Sequence, residues 1–478
     1  MAYLALALGL ALPWMLGFAL LCACDWPAGS AVTERGAAGG TALRLGYGYI
    51  VGLLLLTLWM RVLSFAGISL GRLSIGVPLL ALAAALLAWA RRRQRIPLQA
   101  LRAAPRVLLA PPLSGWQRVA WRLLSCWLAL RFALLAAEVA WRPLYPWNAW
   151  VEWATKARVW YELGRIVPFV NADAWLAGAG AAGAYFDASP NYPATVPLLQ
   201  VWSCIALGRW DDSAMNWPWP LMLLALSLCV YGALRDAGLP LLGALVGAYL
   251  VASLPLLDVH VALAGYADLM MACVYTLSAL AFYRWTLDRD RRDAALALLL
   301  ALACPLIELP GVIWAATLLP GAVIALLPRQ GPRLVALGFG VAALVLLFLA
   351  QSSPLILGHS LHVDFEPPWR SLAEAYFLFA NWHLLWYAVA ALSIIGARRL
   401  ARPPLVALTA VVVSGLAFLG VVFTLTNLAA WMADFTAVNR ATLHLAPLLV
   451  MLCVLLWREL SQARPAAVAP VALATADA

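Results

Sequence analysis

The chain has 478 residues, of which 65% are hydrophobic and 11% charged, and it carries a formal net charge of +10. Soluble domains average about 25% charged residues, whereas here apolar runs recur at about the 20-residue length that crosses a bilayer core, which excludes a soluble globular fold. The basic excess sits on arginines in short loops between those runs, so it marks topology and not nucleic-acid binding.

The expected architecture is an all-α polytopic membrane protein of about 13 transmembrane helices, with a large periplasmic loop carrying interfacial helices. The first three spans, near 3–23, 44–66 and 75–90, read as an accessory module. Together with the dense basic stretch Arg91, Arg92, Arg93, Arg95, Arg102 and Arg106 they make a unit over 1–112. That stretch is assigned to the cytoplasm, which puts the N-terminus outside. The run at 118–141 then leaves the cytoplasm and opens a transmembrane core over 113–460, whose periplasmic loop covers 142–212. Within this loop 192–209 is short and begins with Pro193 and Pro197. It is expected to lie at the interface or to re-enter, which is allowed where protein covers its backbone. Spans near 213–234, 239–257, 262–284, 294–308, 311–327, 334–350, 374–396, 404–427 and 440–457 follow. They leave Arg284–Arg292, Arg329–Arg333, Arg398–Arg402 and the residues from Arg458 in the cytoplasm. The Ala/Pro/Val-rich segment 461–478 reads as a disordered cytoplasmic tail. The expected location is a bacterial-type inner membrane.

No internal repeat is evident, which weighs against inverted-repeat transporter folds. The eight cysteines lie in or beside apolar runs without metal-ligand spacing, so neither a disulfide framework nor a cysteine metal site is expected. A basic n-region does not precede Cys22 and Cys24, which argues against a signal peptide.

Residues 145–165 read YPWNAWVEWATKARVWYELGR. Pro146 can open a helix, and the spacing of Trp147, Trp150, Trp153 and Trp160 predicts one tryptophan face at the membrane interface. Glu152 and Lys156, the only lysine of the chain, are placed for an i, i+4 ion pair. The plain alternative is an interfacial anchor with a solvated salt bridge. Further polar groups follow on the same expected side: Asp187, Asp211, Asp212, Asp258, His260, Tyr266, Asp268, Glu308, Arg440 and His444. Ionisable residues in spans are costly and therefore functional candidates, with helix-packing pairs as the alternative for each one singly. A cavity shared by Glu152, Lys156, Asp268, Glu308 and Arg440 is the economical explanation for all five together. Carboxylates there can serve as general bases, Arg and Lys can hold a leaving phosphate, and tryptophans can pack on sugar rings or lipid chains.

With those residues in view, the chain from about 118 to 458 resembles the membrane-embedded GT-C glycosyltransferases, the superfamily of the protein O-mannosyltransferases and the lipid A aminoarabinose transferase. The resemblance rests on RPLYPWNAW and WATKARVW in the loop, NYPATVPLLQVW, GRWDDSAMNWPW, GYADL, CPLIELPG and NRATLHLAP. It implies inverting transfer of a sugar from an undecaprenyl-phosphate-type donor to an acceptor at the periplasmic face. In that reading Glu152 or Asp268 is the base, and Lys156 and Arg440 hold the phosphate. Glu308 orients the acceptor or a cation, and Asn148 donates or accepts a hydrogen bond. Tyr266, Trp147, Trp150 and His444 complete the substrate site. A divalent metal is possible in the superfamily, but the spacing here gives no ligand cluster. Two features depart from the pattern. Asn148 stands where relatives carry an acid and cannot act as a base, and CPLIELPG lacks the lysine expected near Glu308. Two rivals stand beside the enzyme: a transporter or flippase of a lipid-linked substrate, and a catalytically impaired scaffold. An Asn148→Asp variant separates the last, since faster transfer would mark an impaired enzyme with an intact pocket.

Overall fold

The structure is a computed structural model that describes residues 1–27, 34–179, 183–349, 355–356, 359–360, 362, 367–432 and 435–462. The expected disordered tail lies outside the described residues, apart from the end of the last helix. The fold is all-α and membrane-spanning in character. Among the described residues, six helices are long and apolar enough to cross a bilayer, or up to eight if two sharply bent pairs each count as one span.

The helices run in this order: α1 Ala2–Ala23, α2 Glu34–Phe65, α3 Arg72–Arg92, α4 Leu98–Leu109 and α5 Gly115–Trp141. A π-helical turn at Ala149–Ala154 leads into α6 Thr155–Leu163, followed by α7 Thr195–Leu207 and α8 Pro218–Asp236. The bent pair α9 Leu241–Ala252 and α10 Pro255–Ala262 is followed by α11 Asp268–Asp288, α12 Arg291–Ala303, α13 Gly311–Ala316, α14 Leu318–Leu326 and α15 Gly331–Leu349. Then come α16 Leu385–Leu400, α17 Val406–Leu425 and the second bent pair, α18 Thr436–Leu443 with α19 Ala446–Gln462. Among the described residues, extended structure is confined to two short ladders. Phe169–Val170 runs parallel to Tyr185–Phe186, and Leu355–Ile356 runs antiparallel to His359–Ser360.

Several expected spans are interrupted. The run at 239–257 bends by 60° between α9 and α10, where Pro255 opens the second helix, and the last span bends by 51° between α18 and α19. The expected span 374–396 is straight helix only from Leu385; before it lie a π-turn at Glu374–Leu378 and a 3-10 turn at Ala380–Trp382. Such breaks cost unsatisfied backbone groups in lipid and are tolerated where protein surrounds them.

Helix α11 is the axis of the molecule. It is apolar all round, and every residue from Asp268 to Arg284 is buried, the behaviour of a helix enclosed on all sides. Helix α7 is likewise buried over its whole length, so the short proline-led segment expected at the interface is covered by protein. The first two helices belong to the same packing. Cβ atoms at Gly17 and Gly52 would stand 1.9 Å from the Gly48 carbonyl and 1.8 Å from the Pro13 carbonyl, so α1 and α2 approach through small residues. One hydrophobic core takes buried residues from Leu6 to Leu456, so the first helices pack into it with the later ones, while none of its buried members falls between Ala83 and Trp153.

The two ends of α11 carry different chemistry. At its far end the buried Arg284 pairs with Asp236 and, at 3.1 Å, with Asp293, which accepts a 2.6 Å hydrogen bond from Trp26 Nε1. Asp268 is at the opposite end, about 24 Å away at 1.5 Å per residue.

Candidate active site

Four elements meet around Asp268, and each arrives at a helix end or break. Tyr266 and Asp268 come from the tight turn between α10 and α11. There Gly265 has φ +107°, and a Cβ would lie 2.6 Å from Leu144 Cδ1 and 2.9 Å from Ala149 Cβ; only glycine fits both demands. Glu308 comes from the break between α12 and α13, where a Cβ on Gly311 would stand 2.2 Å from the Cys304 carbonyl oxygen. Arg440 is on α18, and His444 lies at the bend between α18 and α19. His260 is on α10.

The geometry is a carboxylate ringed by cationic and imidazole groups. Arg440 Nε donates to both oxygens of Asp268, at 3.2 and 3.1 Å. His444 Nε2 lies 3.4 Å from Asp268 Oδ1 and 3.5 Å from Glu308 Oε2, while His260 Nδ1 is 3.9 Å from Asp268 Oδ2. The guanidinium of Arg440 stacks 4.7 Å over the Tyr266 ring, a cation–π contact strengthened by burial. The Tyr266 carbonyl is held in turn by Trp219 Nε1 at 3.0 Å. Among the described residues, Glu308 Oε2, both ring nitrogens of His444 and His260 Nδ1 are buried without a hydrogen-bond partner. Orphaned polar atoms gathered at one point call for a partner there, a water, an ion or a bound group.

Asp268, Glu308 and His444 each offer a ligand atom, and these atoms lie within 4.8 Å of one another. The separations of 3.4 and 3.5 Å from His444 Nε2 match the edge of a tetrahedron of ligands about 2.1 Å from a zinc ion. Three such donors within 4.8 Å of one another can hold a divalent cation, although no metal-ligand spacing is visible in the sequence.

A cavity of about 490 Å³ opens beside this cluster. Its wall is polar at His260, Tyr266, Asn381, Asn439 and Arg440, apolar at Leu256, Val259, Leu263 and Phe435, and rimmed by Tyr145 and Pro146. No hydrogen bond engages Nη1 or Nη2 of Arg440 among the described residues.

Glu152 belongs to the field of the same site. It is half-buried in the π-turn. Burial raises its carboxyl pKa above the ordinary range, Arg440 and Lys156 oppose the shift, and Asp187 and Asp268 add to it. Tyr192, on the segment leading into α7, is pushed up to about 12 by burial and then by Glu152 and Glu308.

Other expected members sit elsewhere. Lys156 does not pair with Glu152. Its side chain is 1% exposed, its Nζ lies 3.2 Å from Asp187 Oδ1, and it donates to the Ser189 carbonyl. The π-turn that ends at Ala154 breaks the α-helical phase between Glu152 and Lys156, so the two no longer stack at i, i+4. Burial lowers the Lys156 pKa and raises that of Asp187, each against the pull of its partner. The four tryptophans do not share a face, for the same reason. Trp153 and Trp160 are buried, while Trp147 and Trp150 form an exposed pair with ring centroids 5.8 Å apart. Asn148 is half-buried at the start of the π-turn and makes no side-chain capping bond.

Sequence reading did not single out Tyr145, Asn381, Asn439 and Phe435 as site residues. Asn381 and His383 did carry a signal, as polar residues inside the expected apolar span 374–396, and His383 Nε2 lies 2.9 Å from the Ser253 carbonyl at the α9–α10 bend. Compared with known proteins, the chain matches no family model, no curated protein and no solved structure.

Proposed function

We propose that this chain is a GT-C-type membrane glycosyltransferase that moves a sugar from a polyprenyl-phosphate donor to an acceptor at the periplasmic face. The full proposal has about 13 crossings and an outer loop over 142–212. The observation that supports it is the pairing of an amphipathic cavity of about 490 Å³ with the buried Asp268–Arg440–Glu308–His444 cluster. A lipid phosphate has an anionic head and an apolar tail. Arg440 suits the head, and Leu256, Val259, Leu263 and Phe435 suit the tail.

In the proposed reaction the acceptor hydroxyl attacks the anomeric carbon from the face opposite the phosphate. The C1–O bond breaks, its electron pair stays on the phosphate oxygen, and the acceptor proton passes to a carboxylate. Glu152 is the better base of the two expected, because Asp268 is bound through both oxygens by Arg440 and a carboxylate so held is a poor proton acceptor. Asp268 acts instead by orienting Arg440, whose Nη groups receive the developing phosphate charge. A divalent cation held by Asp268, Glu308 and His444 would add Lewis-acid charge beside the phosphate. Lys156 has no phosphate role in this scheme, since it is sealed against Asp187.

The test is transfer by the purified protein, with release of polyprenyl phosphate from a labelled lipid-linked sugar. An Arg440→Gln variant should lose about 10²–10³ in rate, the size of losing one oxyanion donor. Full turnover in that variant would refute the proposed site. The buried histidines facing Asp268 favour one second reading, a proton-coupled transporter of an amphipathic lipid. It predicts lipid movement across vesicles with no cleavage of the sugar–phosphate bond.

A further inference from the structure

The basic end of the molecule carries a surface that the proposed site does not use. No Asp or Glu occurs between Glu34 and Glu138, and within that interval residues 91–122 hold eight arginines: Arg91, Arg92, Arg93, Arg95, Arg102, Arg106, Arg118 and Arg122. None of the eight has a carboxylate partner among the described residues. Seven are exposed, and the eighth, Arg95, ties the segment down by donating to the Ala23 carbonyl at 2.5 Å. Arg292, in the first turn of α12, donates to the Asp25 carbonyl at 2.6 Å and lies 3.4 Å from the Asp25 carboxylate.

Helix α4 lies in the middle of this segment, and no residue of it is buried. At 100° per residue, Leu98, Leu101, Pro105, Leu108 and Leu109 fall on one side, with Arg102, Arg106 and Gln99 beside them. The helix joins the ends of two spanning helices, α3 and α5, so it sits at the depth where those spans leave the hydrocarbon. Exposed tryptophans stand at both junctions, Trp89 at 50% and Trp116 at 71% exposure, as in the aromatic belts of membrane interfaces. Arg93 stacks 4.9 Å from the Trp89 ring. The buried Trp121 of α5 donates to the Leu108 carbonyl at 3.0 Å, fixing the end of α4 against the base of the span.

We infer that α4 and its flanks form a docking surface for anionic phospholipid headgroups. The leucine side enters the acyl boundary of the leaflet and the arginines collect lipid phosphates. An apolar face alone would accept any lipid. Eight arginines without a carboxylate partner among the described residues select the anionic ones, because each basic residue near the surface adds attraction that neutral lipid does not supply. An acidic soluble protein would also answer the charge, but not the leucine side placed between two membrane spans.

The experiment is hydrogen exchange of the full-length protein in nanodiscs of phosphatidylcholine alone and of phosphatidylcholine with phosphatidylglycerol. Amides of 98–109 should exchange about tenfold more slowly in the anionic discs, and raised salt should reduce the difference by screening. The combined variant Arg91→Gln, Arg92→Gln, Arg102→Gln, Arg106→Gln should lose that difference while the amides of α8 and α11 keep their protection, which shows that the fold is intact. Equal protection in both discs would overturn the inference, leaving apolar insertion only. Protection that appears only on adding an acidic soluble protein would overturn it in favour of a protein partner. Unchanged anionic-lipid protection in the folded variant would also overturn it.

Discussion

Lys156 and Asp187 allow a quantitative test of how the loop before α7 is fixed. Their side chains are 1% and 0% exposed, their charged atoms lie 3.2 Å apart, and Asp187 Oδ1 also accepts from the Ser189 amide at 2.8 Å. Asp187 Oδ2 has no hydrogen-bond partner among the described residues. Breaking a buried pair from one side leaves the other charge uncompensated, at about 3–5 kcal/mol. Lys156→Met and Asp187→Asn should each cost that much. In the double variant no buried charge is left, and the amide oxygen at position 187 can still accept from Ser189. What remains lost is chiefly the bond from Lys156 to the Ser189 carbonyl, about 1 kcal/mol. The double variant should therefore be more stable than either single, with a coupling energy of several kcal/mol, on the order of the single losses. Unfolding midpoints in a denaturing detergent titration, followed by tryptophan fluorescence, give the four corners of the cycle. Additive losses, or an Asp187→Asn cost under about 1 kcal/mol, would mean that the pair is solvated and does not hold the loop.

Two further outcomes follow from the same site. Glu152 has a raised pKa, so it stays protonated to higher pH than an ordinary glutamate; as a base it loses activity when pH falls through that raised value, and the acidic limb of kcat/KM should lie above the usual carboxylate range. Glu152→Gln should abolish that limb and lower the rate by about 10²–10⁴, and an unchanged profile would remove Glu152 from the chemistry. If Asp268, Glu308 and His444 hold a cation, protein equilibrated with zinc or manganese and then desalted should retain about one equivalent by elemental analysis. Glu308→Gln should release it, and equal retention by the variant would place the metal elsewhere.

The membrane character and the chemistry of the main cluster were legible because both depend on residue type. A long apolar run and a charge inside it carry their cost wherever the chain goes. Asp268, Glu308, Arg440 and His444 were therefore readable singly, and the structure brings all four together. What failed was phase. A π-turn of six residues rotated Trp147 and Trp150 away from Trp153 and separated Glu152 from Lys156, and no propensity in AWVEWA announces it. Partner choice was equally hidden. Asp187 lies 31 positions beyond Lys156, and only the loop path brings it within reach. The segments 239–257 and 440–457 were found as apolar runs, but hydropathy has no term for a bend, and the bends are what bring His260 and His444 to Asp268.

The role of Asp268 can be separated from that of a base by asking where Arg440 goes without it. At present one guanidinium nitrogen, Nε, serves both carboxylate oxygens, so Asp268 both aims the arginine and competes with any phosphate for its charge. Asp268→Asn keeps the size of the side chain and removes the competing charge. If Asp268 positions Arg440, the variant should bind the phosphate of the lipid product more tightly and turn over more slowly, so that KM and kcat fall together. If Asp268 instead takes the acceptor proton, kcat should collapse by about 10²–10⁴ with substrate affinity unchanged. Lipid-phosphate inhibition measured beside the kinetics decides between them. Tighter inhibition assigns the carboxylate to orientation, whereas unaltered inhibition with lost turnover would contradict that assignment and return Asp268 to the position of base.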